Sequence, residues 1–262
     1  MSPSWEAHEI ACKILIGFYD KNIDKLIDIE LSHDSSRYNI KELVRASKLI
    51  RDQYGLQGLK QLILHHYLDR LSDLAVSTLA MCFMSYSSGS ASVEEAALKF
   101  INMVSDIADK DPNNILNLFV YDASYLKYIA EIWYSGIKKK NCLVRLDKAY
   151  SDLQLYSKEL EDLRPLVREC IEMLRSKLEF ILYLVLIFDD NIYRRITNSI
   201  KMNLISRLYK MQRRMSPECY EKYKEQQINK VSKELSKYCE TVLEILEKKC
   251  GLQNYIKREK EK

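Results

Sequence analysis

The sequence predicts an all-α fold, with a helical bundle in the N-terminal half and long antiparallel, coiled-coil-like helices in the C-terminal half. Only 6 Gly and 4 Pro occur among the 262 residues, whereas a β-sandwich or barrel needs a turn roughly every 8–12 residues, usually built with these residue types. The hydrophobic share of 47% is too high for a disordered chain. Apolar residues also recur at helical spacing. These observations leave a mostly helical globular protein.

Three of the four prolines indicate where helices begin. Each follows a Ser or Asp that can cap the helix, and Pro is tolerated at the first helical position because its missing N–H has no intrahelical partner there. The three pairs are Ser2-Pro3, Asp111-Pro112 and Ser216-Pro217. Two capping boxes, Asn39–Glu42 and Ser92–Glu95, predict further helix starts. Four glycines are typical of helix ends: Gly55, Gly89, Gly136 and Gly251.

These signals, together with the apolar spacing, divide the chain into helices and two domains. We expect helices near residues 3–18, 21–31, 39–53, 57–85, 92–109, 112–135, 143–163, 165–188, 191–214 and 217–249. Residues 1–140 carry a net charge of −2 and residues 141–262 a net charge of +6, so the charge changes sign beside Gly136. We therefore predict a helical bundle domain at 1–136, a long-helix basic domain at 142–256 and a frayed tail at 257–262.

The C-terminal half has the heptad spacing of long packed helices. One register runs from Leu146 to Phe188, and Pro165 is expected to kink or break the helix that carries it. The segment Phe180–Phe188 is apolar on all sides, so we expect it to be the hub of the fold, with an oligomer contact as the alternative. A second register follows in the last helix: Ile228, Val231, Leu235, Tyr238, Val242 and Ile245.

The most distinctive feature is a basic segment between Asp190 and Glu218, which contains no acidic residue. Its cations lie beside an apolar helical stripe and among small polar side chains, a combination that suits contact with a phosphate backbone. We therefore predict a non-enzymatic subunit that binds the DNA or RNA backbone non-specifically through a basic helix at 194–214. The predicted nucleic-acid-binding residues are Arg194, Arg195, Lys201, Arg207, Lys210, Arg213 and Arg214.

Other partners fit the same pattern. An acidic protein surface could also form ion pairs with these basic residues, and an anionic membrane surface is a weaker alternative. The heptad registers favour a protein partner or a homo-oligomer, so a purely protein–protein helical scaffold or oligomerisation subunit is the main alternative function. The sequence contains no zinc-finger motif, RNP-type motif or clear helix-turn-helix, which argues against sequence-specific recognition.

The histidines offer a further alternative. His65 and Asp69 are four residues apart and share a helix face, but two ligands do not make a metal site, so we interpret them as a core or surface pair. His33-Asp34, with His8 upstream and acidic residues downstream, resembles the H…HD…D pattern of the HD-domain phosphohydrolases, which are all-helical metal enzymes. This resemblance covers three residues and implies a metal-dependent phosphohydrolase as the lesser alternative.

The remaining features predict no cofactor, no metal and no assigned catalytic residue. The six glycines are not clustered, so the sequence has no Gly-rich phosphate-binding loop. Seven widely spaced cysteines without a CxxC motif predict buried thiols in a reducing compartment. The longest apolar run, Phe180–Phe188, is much shorter than the roughly 20 residues that a bilayer span needs. We therefore expect a cytoplasmic protein with no membrane span.

Overall fold

The chain, seen in a computed structural model, is helical in nearly all of the part that the structure describes, which comprises residues 5–30, 40–110, 155, 157–188, 194–198, 200 and 215–250. No strand occurs in these ranges, so the predicted all-α class is confirmed. The helices are α1 (Trp5–Ile16), α2 (Lys21–Lys25), α3 (Ile40–Ser87), α4 (Val93–Lys110), α5 (Ser157–Arg175), α6 (Leu178–Phe188) and α7 (Pro217–Cys250). Residues 194–198 and 200 are also helical.

Helix α2 continues directly into one π-helical turn, Leu26–Glu30, which we call the π-turn. A π-helical turn is rare, occurs mostly as a single turn next to α-helix, and is frequently found at functional sites. None of the helices in the described ranges combines the length and apolar character that crossing a membrane requires.

The described residues form two compact units. The first unit consists of Trp5–Arg70 with residues 157–176, and the second consists of Leu71–Lys110 with the described part of residues 177–250. Helix α3 belongs to both units, because the division falls within it. The domain boundary that the sequence predicts between residues 136 and 142 lies outside the described residues.

The core of the first unit is built from one face of each helix. On α1 the buried side chains are one turn apart, with Ala7 and His8 followed by Ala11 and Cys12, as expected for an amphipathic helix. Helix α5 buries a stripe of the same spacing: Leu163, Val167, Cys170, Ile171 and Leu174.

Helix α6 contributes the longest continuous buried run to the core of the second unit, to which α3, α4 and α7 also contribute. Its residues Ile181–Leu186 are buried without interruption, and the helix packs against α7 and α4. Most of the apolar segment is thus buried within its own unit, which favours the hub interpretation, although Ile187 near its end is 41% exposed. On α7, Leu235, Tyr238 and Val242 of the predicted register are buried.

The observed helix ends agree with several of the predicted signals. In the Ser92–Glu95 capping box, the Ser92 N–H donates to the Glu95 carboxylate at 2.8 Å and the Glu95 N–H donates to Ser92 Oγ at 3.1 Å. Helix α7 begins at Pro217, as predicted. The helical φ/ψ angles of α3 are interrupted at Gly55. The signals at Ser2, Asn39, Asp111, Gly136 and Gly251 lie outside the described residues.

Pro165 does not break its helix, contrary to one of our expectations. It lies inside α5, and the helix ends only at Arg175, just before α6 begins at Leu178. Proline removes the bond to the carbonyl four residues earlier, which belongs to Glu161. Both Pro165 and Glu161 are exposed, so water can solvate that carbonyl and the helix continues.

Candidate metal centre

His65 lies at the middle of a buried cluster in the first unit. It projects from α3 and its side chain has no solvent exposure. Its Nδ1 is 3.1 Å from Oδ1 of Asp24, and its Nε2 is 3.1 Å from Oδ1 of Asp28. Asp24 belongs to α2 and Asp28 to the π-turn. Two carboxylates four residues apart therefore contact opposite edges of one imidazole.

Asp24 is held in place by neutral donors. Tyr19 Oη donates to Asp24 Oδ2 at 2.9 Å, and Gln61 Nε2 donates to Asp24 Oδ1 at 3.2 Å. Burial favours the neutral carboxyl, but the hydrogen bond and charge of His65 outweigh it and hold the pKa of Asp24 below its usual range. Asp24 is therefore a fixed carboxylate that orients the Nδ1–H of His65.

His8 and Asp69 complete the cluster. Asp69 follows His65 by one turn of α3, with its Oδ2 3.6 Å from Nε2 of His65. His8 projects from α1, and its Nε2 is 3.8 Å from Oδ1 of Asp69. Within the described part of the chain, neither ring nitrogen of His8 makes a hydrogen bond, and its residue exposure is 0%. Burying an imidazole without hydrogen bonds is costly. In the absence of a ligand, an apolar residue at position 8 would therefore give a more stable protein than His8.

The two imidazoles of the cluster favour different protonation states. Burial lowers the pKa of His8 to about 4, and the neighbouring charge of His65 acts in the same direction. Burial also lowers the pKa of His65, but the charge of Asp69 and the hydrogen bonds to Asp24 and Asp28 outweigh it and raise that pKa to about 10. At neutral pH the metal-free cluster therefore contains an imidazolium at His65 and a neutral imidazole, with a free lone pair, at His8.

The cluster has the dimensions of a small cation site. One ligand atom from each of His8, His65 and Asp69 can be chosen so that all three lie within 4.8 Å of one another. A tetrahedral ion with bonds of about 2.1 Å separates its ligand atoms by about 3.4 Å. Nε2 of His65 lies 3.6 Å from Oδ2 of Asp69 and Nε2 of His8 lies 3.8 Å from Oδ1, so both separations are close to that value but involve different oxygens of one carboxylate. The rings of His8 and His65 are stacked, with centroids 4.2 Å apart and planes 8° apart. Binding one ion in both ring planes requires one ring to turn out of the stack.

The donor set favours a divalent first-row transition metal. Imidazole suits Zn²⁺, Fe²⁺, Ni²⁺ and Cu²⁺, whereas Mg²⁺ and Ca²⁺ prefer oxygen ligands alone. A metal held at Nε2 of His65 would take the place of the Nε2 proton, and the Nδ1–H would still donate to Asp24. This is the carboxylate–histidine–metal arrangement that fixes the ring of a metal-ligating histidine.

Sequence reasoning identified only part of this cluster. It paired His65 with Asp69 but treated them as an isolated pair, and it used His8 only in the HD-type pattern. His33 and Asp34 of that pattern lie outside the described residues. Asp24 and Asp28 were missed, although their spacing of four residues matches that of His65 and Asp69 and was the available signal.

The structure describes only two of the predicted nucleic-acid-binding residues. Arg194 is exposed. Arg195 is half-buried in the second unit, where its guanidinium is bonded to the Asp73 carboxylate and lies 3.2 Å from Ser72 Oγ. The other predicted residues lie outside the described part: Lys201, Arg207, Lys210, Arg213 and Arg214.

Comparisons with known proteins do not assign this chain to a family. No protein-family model matches it, and no significant match was found among curated proteins or among solved structures.

Proposed function

We propose that this protein binds one divalent first-row transition metal ion at a non-catalytic centre formed by His8, His65 and Asp69. The observation that carries the proposal is the convergence of two imidazoles and a carboxylate, all buried, with ligand atoms within 4.8 Å of one another. The ring of His65 is oriented by Asp24, and His8 offers a lone pair without a hydrogen-bond partner in the described residues.

A structural or regulatory role fits this centre better than catalysis. Three protein ligands leave a fourth tetrahedral position, as in catalytic zinc sites, but catalysis also requires that this position be open to substrate. The side chains of His8 and His65 have 0% exposure and that of Asp69 has 1%. The metal ion would join α1 to α3, and its binding free energy would add to the stability of the first unit.

Metal content and stability test this proposal together. The full-length protein is stripped with a chelator, and Zn²⁺, Fe²⁺, Ni²⁺ and Cu²⁺ are then titrated separately while bound metal and urea unfolding are measured. We expect one ion per chain, and stabilisation of about 2.7 kcal/mol when free metal reaches about 100 times Kd. A protein that binds none of these ions, or binds them without gaining stability, would contradict the proposal.

His8→Leu is the most informative variant. It removes a ligand and also a buried imidazole without hydrogen bonds, so the stripped variant should be at least as stable as the stripped wild type but should gain no stability from metal. His66→Leu is the matched control, because His66 is an adjacent buried histidine outside the ligand group. It should retain one ion per chain.

The basic segment supports a second function, binding to the DNA or RNA backbone. The supporting observation is the charge pattern itself, with seven cations and no acidic residue between Asp190 and Glu218. Exposed Arg194 is available for such binding, whereas Arg195 is engaged by Asp73. We therefore assign the phosphate contacts to Arg194, Lys201, Arg207, Lys210, Arg213 and Arg214.

A salt-titrated shift assay tests this second function. Replacing those six residues by Gln should weaken binding to every nucleic acid sequence and reduce the salt slope by about 0.9 for each duplex phosphate that is no longer neutralised. The control replaces six exposed lysines of α7 by Gln: Lys222, Lys230, Lys233, Lys237, Lys248 and Lys249. Equally weakened binding in both variants would mean that net charge alone is responsible. A defined oligomer without nucleic-acid affinity at low salt would favour the protein–protein scaffold instead.

A further inference from the structure

Asp28 differs from the other acidic residues around His65 in its exposure. Its side chain is 16% exposed, whereas the side chain of Asp24 has 0% exposure and that of Asp69 has 1%. One of its oxygens nevertheless lies 3.1 Å from Nε2 of His65, the atom that faces Asp69. Asp28 is thus in contact with the buried cluster and with solvent at the same time.

The backbone at Asp28 also differs from that of the preceding helix α2. Asp28 lies in the π-turn, and the next residue, Ile29, is 67% exposed. A π-helical turn is rare and is frequently found at functional sites. Here it places the Asp28 carboxylate at the outer edge of the cluster.

The second oxygen of Asp28 is held by a tryptophan. Nε1 of Trp5 donates to Asp28 Oδ2 at 2.6 Å, which is a short bond to a charged acceptor and therefore a strong one. The ammonium group of Lys21 lies 5.4 Å from the centre of the Trp5 ring, within the range of a cation–π interaction. Trp5 is thereby held against the Asp28 carboxylate.

From these contacts we infer that Asp28 is the exchangeable ligand through which metal ions pass between solvent and the His8–His65–Asp69 centre. The hydrogen bond from the Trp5 indole N–H holds the Asp28 carboxylate in place and thereby slows this exchange. This inference rests on the proposed metal binding and adds the path by which the ion is exchanged. Asp28 contacts the ion during transfer, and Trp5 acts on the ion only through Asp28, as a positioning residue.

Exchange kinetics test the inference separately from binding itself. Co²⁺ uptake by the stripped full-length protein is followed by stopped-flow absorbance, and its release by transfer to a chromogenic chelator. Trp5→Phe keeps an aromatic ring but removes the N–H, so both rates should rise by about tenfold, with little change in Kd. Asp28→Asn keeps the shape but removes the charge, so both rates should fall, again at unchanged stoichiometry. The control is Asp52→Asn on α3, which makes the same change at an exposed carboxylate.

The outcomes distinguish the two proposals. If wild-type protein binds one Co²⁺ ion and both variants exchange it at the wild-type rate, the exchange path is wrong and the metal centre stands. If Asp28→Asn abolishes binding at equilibrium, Asp28 is a permanent ligand and the exchange role is also wrong. If wild-type protein takes up neither Co²⁺ nor any of the four ions above, the metal centre itself is wrong and the exchange path falls with it. Should Trp5→Phe fail to fold, Lys21→Ala still loosens Trp5 from outside and should raise both rates, though less.

Discussion

Asp24 shows how a single residue decides the chemistry of the buried cluster. Its carboxylate accepts hydrogen bonds from Tyr19 and Gln61 and contacts Nδ1 of His65. The bonds to Gln61 and His65 are buried and the bond to Tyr19 is part-buried, and in a buried site an unsatisfied donor or an unpaired charge is expensive. Asp24 is the partner of Nδ1 and so helps to orient the ring of His65, together with Asp28 and Asp69 on the Nε2 side.

Asparagine at position 24 should strongly destabilise the protein even without metal. Asp24→Asn places an NH₂ group against one of the groups that donate to Asp24, which are Tyr19, Gln61 and His65. It also removes the negative charge opposite His65, so we expect the free energy of unfolding to fall by about 3 kcal/mol. The measurement is urea unfolding in the presence of chelator. Asp52→Asn is the exposed control and should change stability by no more than about 0.5 kcal/mol. Similar values for the two variants would show that the Asp24–His65 interaction contributes little to stability.

At the scale of elements, the backbone departs from regular α-helix at two informative places. One is the π-turn, which brings Asp28 to the edge of the cluster. The other is Gly55, where the long helix α3 is interrupted by φ 64° and ψ −154°. This conformation is essentially restricted to glycine, so the sequence signal for a helix end at Gly55 had a real structural cause even though helix continues on both sides.

Gly55→Ala isolates the cost of this backbone conformation. A Cβ at position 55 would meet no atom within 4 Å among the described residues, so any destabilisation comes from the torsion angles rather than from a clash. We expect the free energy of unfolding in urea to fall by roughly 1–3 kcal/mol. Gln57→Ala, at an exposed helical position two residues later, should be neutral or slightly stabilising, because Ala is the better helix former. A gain in stability for Gly55→Ala would mean that the helix is continuous in solution.

At the scale of the whole molecule, the described helices form two units, each assembled from segments that are distant in sequence. The first unit needs residues 5–70 together with α5, and the second needs the end of α3 together with α4, α6 and α7. Ion pairs such as Lys48–Glu159 in the first unit and Lys249–Glu179 in the second join segments far apart in the chain. Amphipathic spacing reveals that each helix has a buried face but not which helix will cover it.

The sequence by itself determined the helical class, the starts of α4 and α7, the interruption at Gly55 and much of the buried register of α7. These features depend on neighbours within one or two turns, through capping bonds, backbone torsion angles and side-chain periodicity. Only the tertiary structure decided that His8, Asp24 and Asp28 meet the pair His65–Asp69. Such a cluster depends on how the faces of α1, α2, the π-turn and α3 pack together, because that packing brings residues up to 61 positions apart in the sequence close to one another.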